Sequence, residues 1–269
     1  GKWIASYDKG LIVNLVCHMD MEKVHKKLVK GLRDYFQKYD LRKGVVGLSG
    51  GIDSATTFKI AVDALGSSNV FALILPELGV TSDENIQHAK MMANFFKVKS
   101  YYQPINALAV DFNIAPWKPN RIAQMNTKAR IRAGLLYSFA NSNNALVLGT
   151  SNKSELMLGY GTKYGDLAAD IELLANLYKS DVYLLAEYLN LPEEVIQKAP
   201  TAELEEGQTD ENDLGANYRV LDAILQMLEN GKRKPSIVKA GYPAALVDKI
   251  QKLIKQNKHK REMPPCLAV

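Results

Sequence analysis

Ser49-Gly50-Gly51-Ile52-Asp53-Ser54 is the stretch whose residue types could do chemistry, because it sets two adjacent glycines beside two hydroxyls and a carboxylate. Glycines remove the side chains that would hold an oxyanion away from the backbone. If a helix starts there, its unpaired N–H groups and positive dipole end form an anion site. Asp53 repels bare phosphate, but a divalent cation shared between carboxylate and phosphate reverses that sign. The stretch from Gly47 onward therefore reads as a phosphate-binding turn, with Ser49 and Ser54 as further hydroxyl donors. The Gly-x-x-x-x-Gly-Lys-Ser/Thr loop is absent, and Gly159, Gly161 and Gly165 miss the Gly-x-Gly-x-x-Gly spacing by one residue. Walker-type ATPases and ordinary dinucleotide-binding dehydrogenases are excluded.

Such a turn needs a strand to deliver it and a helix to receive it. Residues 44–48 form a short apolar run, and 53–65 read as a helix. Val24, Leu28, Leu32, Tyr35 and Phe36 recur at helical spacing before them. Strands are expected at 70–75, 98–103 and 145–149, with a helix capped by Ser82 and running to about Phe96, and another over 123–140. Residues 159–175 carry no clean period, while 179–189, 214–229 and 236–257 read as helices around an acidic loop at 200–213. Strands alternating with helices predict an α/β fold, a doubly wound parallel sheet with helices on both faces. In such sheets ligands bind beyond the carboxyl ends of the strands, at the switch point.

The 269 residues contain no internal repeat, biased tract or Gly/Ser linker, so 1–269 reads as a single domain. Apolar residues at 47% and charged residues at 23% exclude collagen-like, low-complexity and disordered classes. The longest apolar runs, 70–76 and 145–149, fall far short of the roughly 20 residues of a spanning helix, and no membrane partner is expected. The apolar run 11–17 lacks a cleavage site and reads as an amphipathic first helix. Cys17 and Cys266 have neither a C-x-x-C partner nor a histidine cluster, which fits a reducing, cytoplasmic setting. A net charge of +5 is too small to argue for nucleic acid, and none is expected as a partner. Its distribution is more telling: 249–261 holds six basic and no acidic residues, and 193–213 holds eight acidic and one basic.

Further stretches follow in order: Leu148-Gly149-Thr150-Ser151-Asn152-Lys153-Ser154-Glu155, Gly161-Thr162-Lys163-Tyr164-Gly165-Asp166, Leu177-Tyr178-Lys179, Lys198-Ala199-Pro200-Thr201 and His259-Lys260-Arg261. The S-G-G-x-D-S turn resembles the signature of the pyrophosphate-loop ATP enzymes, which cleave ATP between the α and β phosphates. With the later stretches, from about 20 to 265, the chain resembles the NAD synthetases, an adenine nucleotide alpha hydrolase-like fold. The resemblance implies an ATP site at Gly47, Leu48, Ser49, Gly50, Gly51, Ile52, Asp53, Ser54, Thr150, Lys179 and Thr201. Within it Asp53 and Lys179 would be catalytic, and Asp53 and Glu155 would hold Mg2+. Arg130, Lys163, Asp170, His259 and Lys260 would contact nicotinic acid adenine dinucleotide, whose pyrophosphate and carboxylate call for fixed cations.

The implied reaction joins the nicotinate carboxylate to the α phosphate of ATP, releases pyrophosphate, and lets ammonia displace AMP to give NAD. Neither cysteine has a nucleophile's surroundings and no separate amidase domain is visible, so free ammonia is the expected nitrogen source, with supply by a separate glutaminase subunit as the open alternative. A homodimer is implied by the resemblance alone. Two rivals stay open. An adenylating enzyme of the same loop class acting on tRNA would need a tRNA-binding extension or sulfur-carrying cysteines. A non-catalytic nucleotide sensor would have no use for Glu155 and Lys179. Glu172-Leu173 stands where the family has Asn-Pro, and Asn176 stands at a place that is often acidic, so an altered loop path after Asp170 is expected. Lys128 reads as a solvated helix residue, Trp3 and Trp117 as packing residues, and His18, His25 and His88 as surface or packing groups. Loops 159–167 and 200–213 are expected to order over bound nucleotide and exclude water.

Overall fold

The apolar run before the glycine turn becomes β1 (Lys43–Gly47), the centre of a wholly parallel sheet in the computed structural model, which describes residues 19–112, 114, 116–201, 204–205 and 207–267. Around it stand β2 (Val70–Ile74), β3 (Lys99–Tyr102), β4 (Ala145–Gly149) and the two-residue β5 (Ile171–Glu172), in the order β3-β2-β1-β4-β5. The chain builds outward from β1 to β3, then crosses back to β4, with Val45 opposite Val147. The switch point therefore lies between β1 and β4, and a crevice opens beyond their carboxyl ends.

Past Lys43 the central strands are apolar, because both faces are covered. On one face Val46, Leu48, Ala72 and Ile74 meet α1 (Met21–Lys38), α2 (Ile52–Leu65), α3 (Asp83–Phe95) and α7 (Lys179–Tyr188), through residues such as Phe36, Phe58, Ile60, Met92 and Leu185. Fully burying a side chain such as Phe58 stabilises by roughly 1.5–3 kcal/mol. On the other face Val45, Leu73 and Val147 meet Ile131 and Ala140 of α5 (Arg121–Asn143) and Ile105, which precedes α4 (Asn106–Phe112). A third core gathers Leu158 of α6 (Lys153–Leu158), Leu214 of α9 (Asp210–Leu214), Leu221, Ile224 and Leu225 of α10 (Tyr218–Glu229), Ile237 of α11 (Lys234–Lys239) and Val247 and Ile250 of α12 (Ala244–Gln256).

The differences from the sequence reading have local causes. Gly215, at φ 86°, divides the helix expected over 214–229, and Gly241, at φ 100° before Pro243, divides the one expected over 236–257. The long helix is longer than its apolar period, since Asn120 caps it and Asn144 ends it in a left-handed conformation. The acidic loop turns helical at Asp210, and short helices α4 and α8 (Glu193–Ile196) were not foreseen. Trp117 packs against little of this chain, being 69% exposed, which overturns its reading as a packing residue. The helix expected at 11–17, with Trp3, Cys17 and His18, lies outside the described residues. Among the described residues no helix is long and apolar enough to cross a membrane.

Candidate active site

The turn after β1 is held from within. Gly50 has φ 84°, and a Cβ there would fall 2.3 Å from the backbone oxygen of Asn85 at the start of α3, so both conformation and space demand glycine. Ser54 is buried, accepts from the Ser49 amide (3.2 Å) and donates to the Gly51 carbonyl (2.9 Å). Its hydroxyl thus shapes the turn, while Ser49 stays exposed. Gly51 is the N-cap of α2 and offers no side chain to the first-turn N–H groups, so these donors and the dipole end face the crevice.

Asp53, one residue into that helix, is joined to the far side of the switch by two contacts. Its Oδ1 accepts from Nδ2 of the fully buried Asn152 at 2.9 Å, and its Oδ2 pairs with the ammonium of Lys179. Asn152 caps α6 in a reciprocal box with Glu155: the Glu155 amide reaches Asn152 Oδ1 at 3.0 Å, and the Asn152 amide reaches Glu155 Oε2 at 3.2 Å. Glu155 Oε1 then lies 3.6 Å from Lys179 Nζ, so one buried ammonium stands between two carboxylates drawn from α2 and α6.

Burial, reinforced by the charge of Asp53, pushes the Glu155 carboxyl well above its usual range. Burial opposes the charge on Lys179, but Asp53 and Glu155 together outweigh it and hold the ammonium protonated far above neutrality. The Lys179 Nζ also lies 5.2 Å from the centre of the Tyr218 ring, whose hydroxyl donates to Asp210 Oδ2 at 2.9 Å. Thr150 and Thr201, which the family resemblance also assigns to ATP, lie in other segments. Thr150 is the first residue after β4, at the mouth of the switch. Thr201 donates to the Gln208 carbonyl at 2.6 Å, and the Asp210 amide reaches the Pro200 carbonyl at 3.1 Å, so Pro200 and Thr201 lie against Gln208 and Asp210.

The basic residues come together beyond α6. Arg130 Nε donates to the Lys163 carbonyl (3.3 Å), Lys163 Nζ to the His259 carbonyl (2.6 Å), and Lys260 Nζ to the Gly159 and Gly161 carbonyls (2.7 and 2.9 Å). Loop 159–167 is thereby tied to α5 and to the C-terminal turn by polar contacts, while Tyr160 packs against the third core. Asp170 stands apart from this group, accepting the Val147 amide of β4 at 2.7 Å. Next to it, the Glu172 carboxylate lies over Gly149, where a Cβ would come within 2.3 Å, and burial pushes its carboxyl up to about 7. Lys128 corrects its reading as a solvated residue: it is 19% exposed and pairs with Glu77 at 2.7 Å.

Asn152, Ser154, Asp210, Tyr218 and Asp222 belong to this centre and were missed as site residues. Asn152 had a signal in its Glu155 three positions on, which is the spacing of a capping box. Asp210 and Asp222 had none, since nothing in an acidic loop or a helix names the side that turns inward.

Fold and centre together define an α/β protein with a glycine turn and a buried lysine–carboxylate centre at the carboxyl ends of its parallel sheet. Residues 24–264 match the family NAD synthase, and the chain belongs to that family. It is 44% identical to the NH3-dependent NAD+ synthetase of Methanocaldococcus jannaschii over 91% of this chain and 96% of that one. With the NH3-dependent NAD+ synthetase of Archaeoglobus fulgidus it shares 41% identity over 93% and 98%. Among solved structures, an NMN synthetase from Francisella tularensis superposes with a TM-score of 0.84 at 32% identity, covering 93% of this chain and all of that one. The NH3-dependent NAD synthetase from Campylobacter jejuni gives 0.80 at 32% identity over the same shares.

Proposed function

We propose that this chain is an ammonia-dependent NAD synthetase, a ligase that adenylates the nicotinate carboxylate of nicotinic acid adenine dinucleotide with ATP and amidates it with ammonia, giving NAD, AMP and pyrophosphate. The observation that carries the reading is Lys179 held between Asp53 and Glu155 at the uncapped start of α2. The N–H groups of that turn bind phosphate oxygens, and the Lys179 ammonium offsets negative charge as pyrophosphate departs, so catalysis is electrostatic and positional. Asn152 holds the Asp53 carboxylate in place while this happens. Thr150 and Thr201 complete the ATP site, and Arg130, Lys163, Asp170, His259 and Lys260 receive the acid dinucleotide.

Asp53 and Glu155 suit Mg2+. Both are hard oxygen donors, and the Glu155 carboxyl, raised by burial and then by the charge of Asp53, is a group that a divalent cation would return to its charged form. Among the described residues no third acidic, histidine or cysteine ligand joins them, which suits an ion that keeps water and phosphate oxygens in its shell. When bound, Mg2+ supplies charge neutralisation on the phosphates.

The decisive assay combines the protein with ATP, MgCl2, an ammonium salt and nicotinic acid adenine dinucleotide. NAD and AMP are expected; ADP in place of AMP discards the mechanism. A parallel arm offers the corresponding mononucleotide acid, because one similar structure is an NMN synthetase. Faster amidation of the mononucleotide would move the substrate assignment without moving the chemistry.

The same reading makes 1–269 one domain working in the cytoplasm as a homodimer. Dimerisation is supported by Val110, Phe112, Ile114, Trp117 and Ile122, which leave an exposed apolar surface around α4 and the start of α5. A sedimentation profile that stays monomeric at micromolar concentration would sink it. Loops 159–167 and 200–213 close over bound nucleotide; equal proteolysis of these loops with and without ATP, Mg2+ and acid dinucleotide would count against that.

A further inference from the structure

Asp222 lies in the middle of α10, 2% exposed, among the buried apolar residues Leu221, Ile224 and Leu225. A carboxylate is costly in such a place unless donors surround it. Three do. Oδ1 accepts from the Ser154 hydroxyl at 2.5 Å, and Oδ2 accepts from the Ser180 amide at 2.8 Å and the Ser180 hydroxyl at 2.7 Å. Ser154 Oγ in turn accepts the Lys179 amide at 2.9 Å. The first two amides of α7 therefore end on Asp222, one directly and one through Ser154.

Those two serines are the sequence neighbours of Lys179 and Glu155. Asp222 thus holds the Ser154 hydroxyl on one side of the gap that the ammonium and the carboxylate cross and the Ser180 amide and hydroxyl on the other, yet touches neither group. An amide or hydroxyl in its place cannot accept from all three donors without turning a donor of its own toward one of them. A negative charge at the start of α7 also suits the dipole of that helix.

We propose that Asp222 is a positioning residue of the ligation reaction: by accepting from Ser154 and Ser180 it locks the start of α7 to α6, so that Lys179 and Glu155 meet the phosphates in one fixed arrangement. The proposal rests on reading this centre as the adenylating site.

Asp222→Ala and Asp222→Asn test it, each first shown to be folded by circular dichroism. In Asp222→Ala, kcat falls about 10- to 100-fold and the Mg2+ concentration for half-maximal rate rises by a similar factor. The KM for nicotinic acid adenine dinucleotide changes less than about twofold, because that substrate's own contacts are untouched. Without any ligand, amide hydrogen exchange at Lys179 and Ser180 accelerates by about tenfold or more while the amides of β1 and β2 keep their protection. If Asp222→Ala does not fold, Asp222→Asn carries the test with smaller changes in the same direction. In that variant the side-chain oxygen must take the Ser180 amide, leaving an NH2 group toward Ser154. A folded variant with wild-type kcat, Mg2+ requirement and exchange at 179 and 180 overturns the proposal. So does loss of protection across the whole sheet, which would make Asp222 a residue of the core alone. Wild-type protein that forms no NAD would instead overturn the functional reading, and the exchange experiment would still decide whether Asp222 holds α7.

Discussion

The starts of α2 and α7 are the same backbone object, a positive helix end with unpaired N–H groups, treated in opposite ways. At α2 the cap is Gly51, which has no side chain to place on the first-turn donors, and only the Gly51 amide itself meets a hydroxyl, that of Ser49. At α7 the donors are taken by Ser154 and Asp222, drawn from two other elements. An open end can receive an external anion, whereas a filled end fixes whatever side chain follows it, and the one that follows here is Lys179. The difference teaches that a helix terminus becomes a ligand site through what the rest of the fold withholds from it.

The largest effect expected from breaking this contrast is at the lysine itself. Lys179→Met should lower kcat by about 10²- to 10³-fold, as loss of a transition-state charge partner does. Steady-state formation of AMP measures it, and a change below about fivefold would remove Lys179 from the chemistry. Gly50→Ala should follow, because it spoils the open end twice, by a positive φ and by the 2.3 Å approach to Asn85. A stability loss of about 3 kcal/mol or more is expected in denaturant unfolding, with calorimetric ATP binding abolished in the protein that stays folded.

The filled end makes a prediction with a sign. Burial raises the Asp222 carboxyl from 3.8 to about 6. A folded-state value above the unfolded one means that this group's stabilising contribution is complete below pH 3.8 and is lost as pH rises through about 6. Asn cannot titrate. Urea unfolding should therefore find the stability advantage of wild type over Asp222→Asn shrinking by on the order of 2 kcal/mol between pH 4.5 and pH 8. A constant gap would mean that the carboxylate is not held at a desolvation cost. The smallest effect belongs to an ordinary capped end away from the centre. Asn120→Ala, which removes the cap on α5 that accepts the Ala123 amide at 2.9 Å, should cost about 1 kcal/mol and leave kcat unchanged.

Much of the site was readable from local chemistry. The glycine turn, its placement between a strand and a helix, and the family resemblance point to Asp53, Glu155 and Lys179, and the fold sets the lysine against both carboxylates. Arg130, Lys163, His259 and Lys260 likewise meet around one loop. What misled was environment. Lys128 has the residue type and helical place of a solvated charge, yet the segment after β2 brings Glu77 against it. Ser54 reads as a phosphate donor, yet its hydroxyl is used inside the turn.

By itself the sequence determined the strands, the main helices, the parallel sheet and the glycine turn, because periodicity and glycine geometry act over a few neighbouring residues. Only the tertiary structure decided that α2 begins open and α7 begins filled. That choice rests on Asp222, which lies 42 residues from Ser180 and 68 from Ser154 along the chain. Contacts of such separation are set by how the third core packs on the sheet, and nothing in a single helix's pattern records which acidic residue turns inward to meet them.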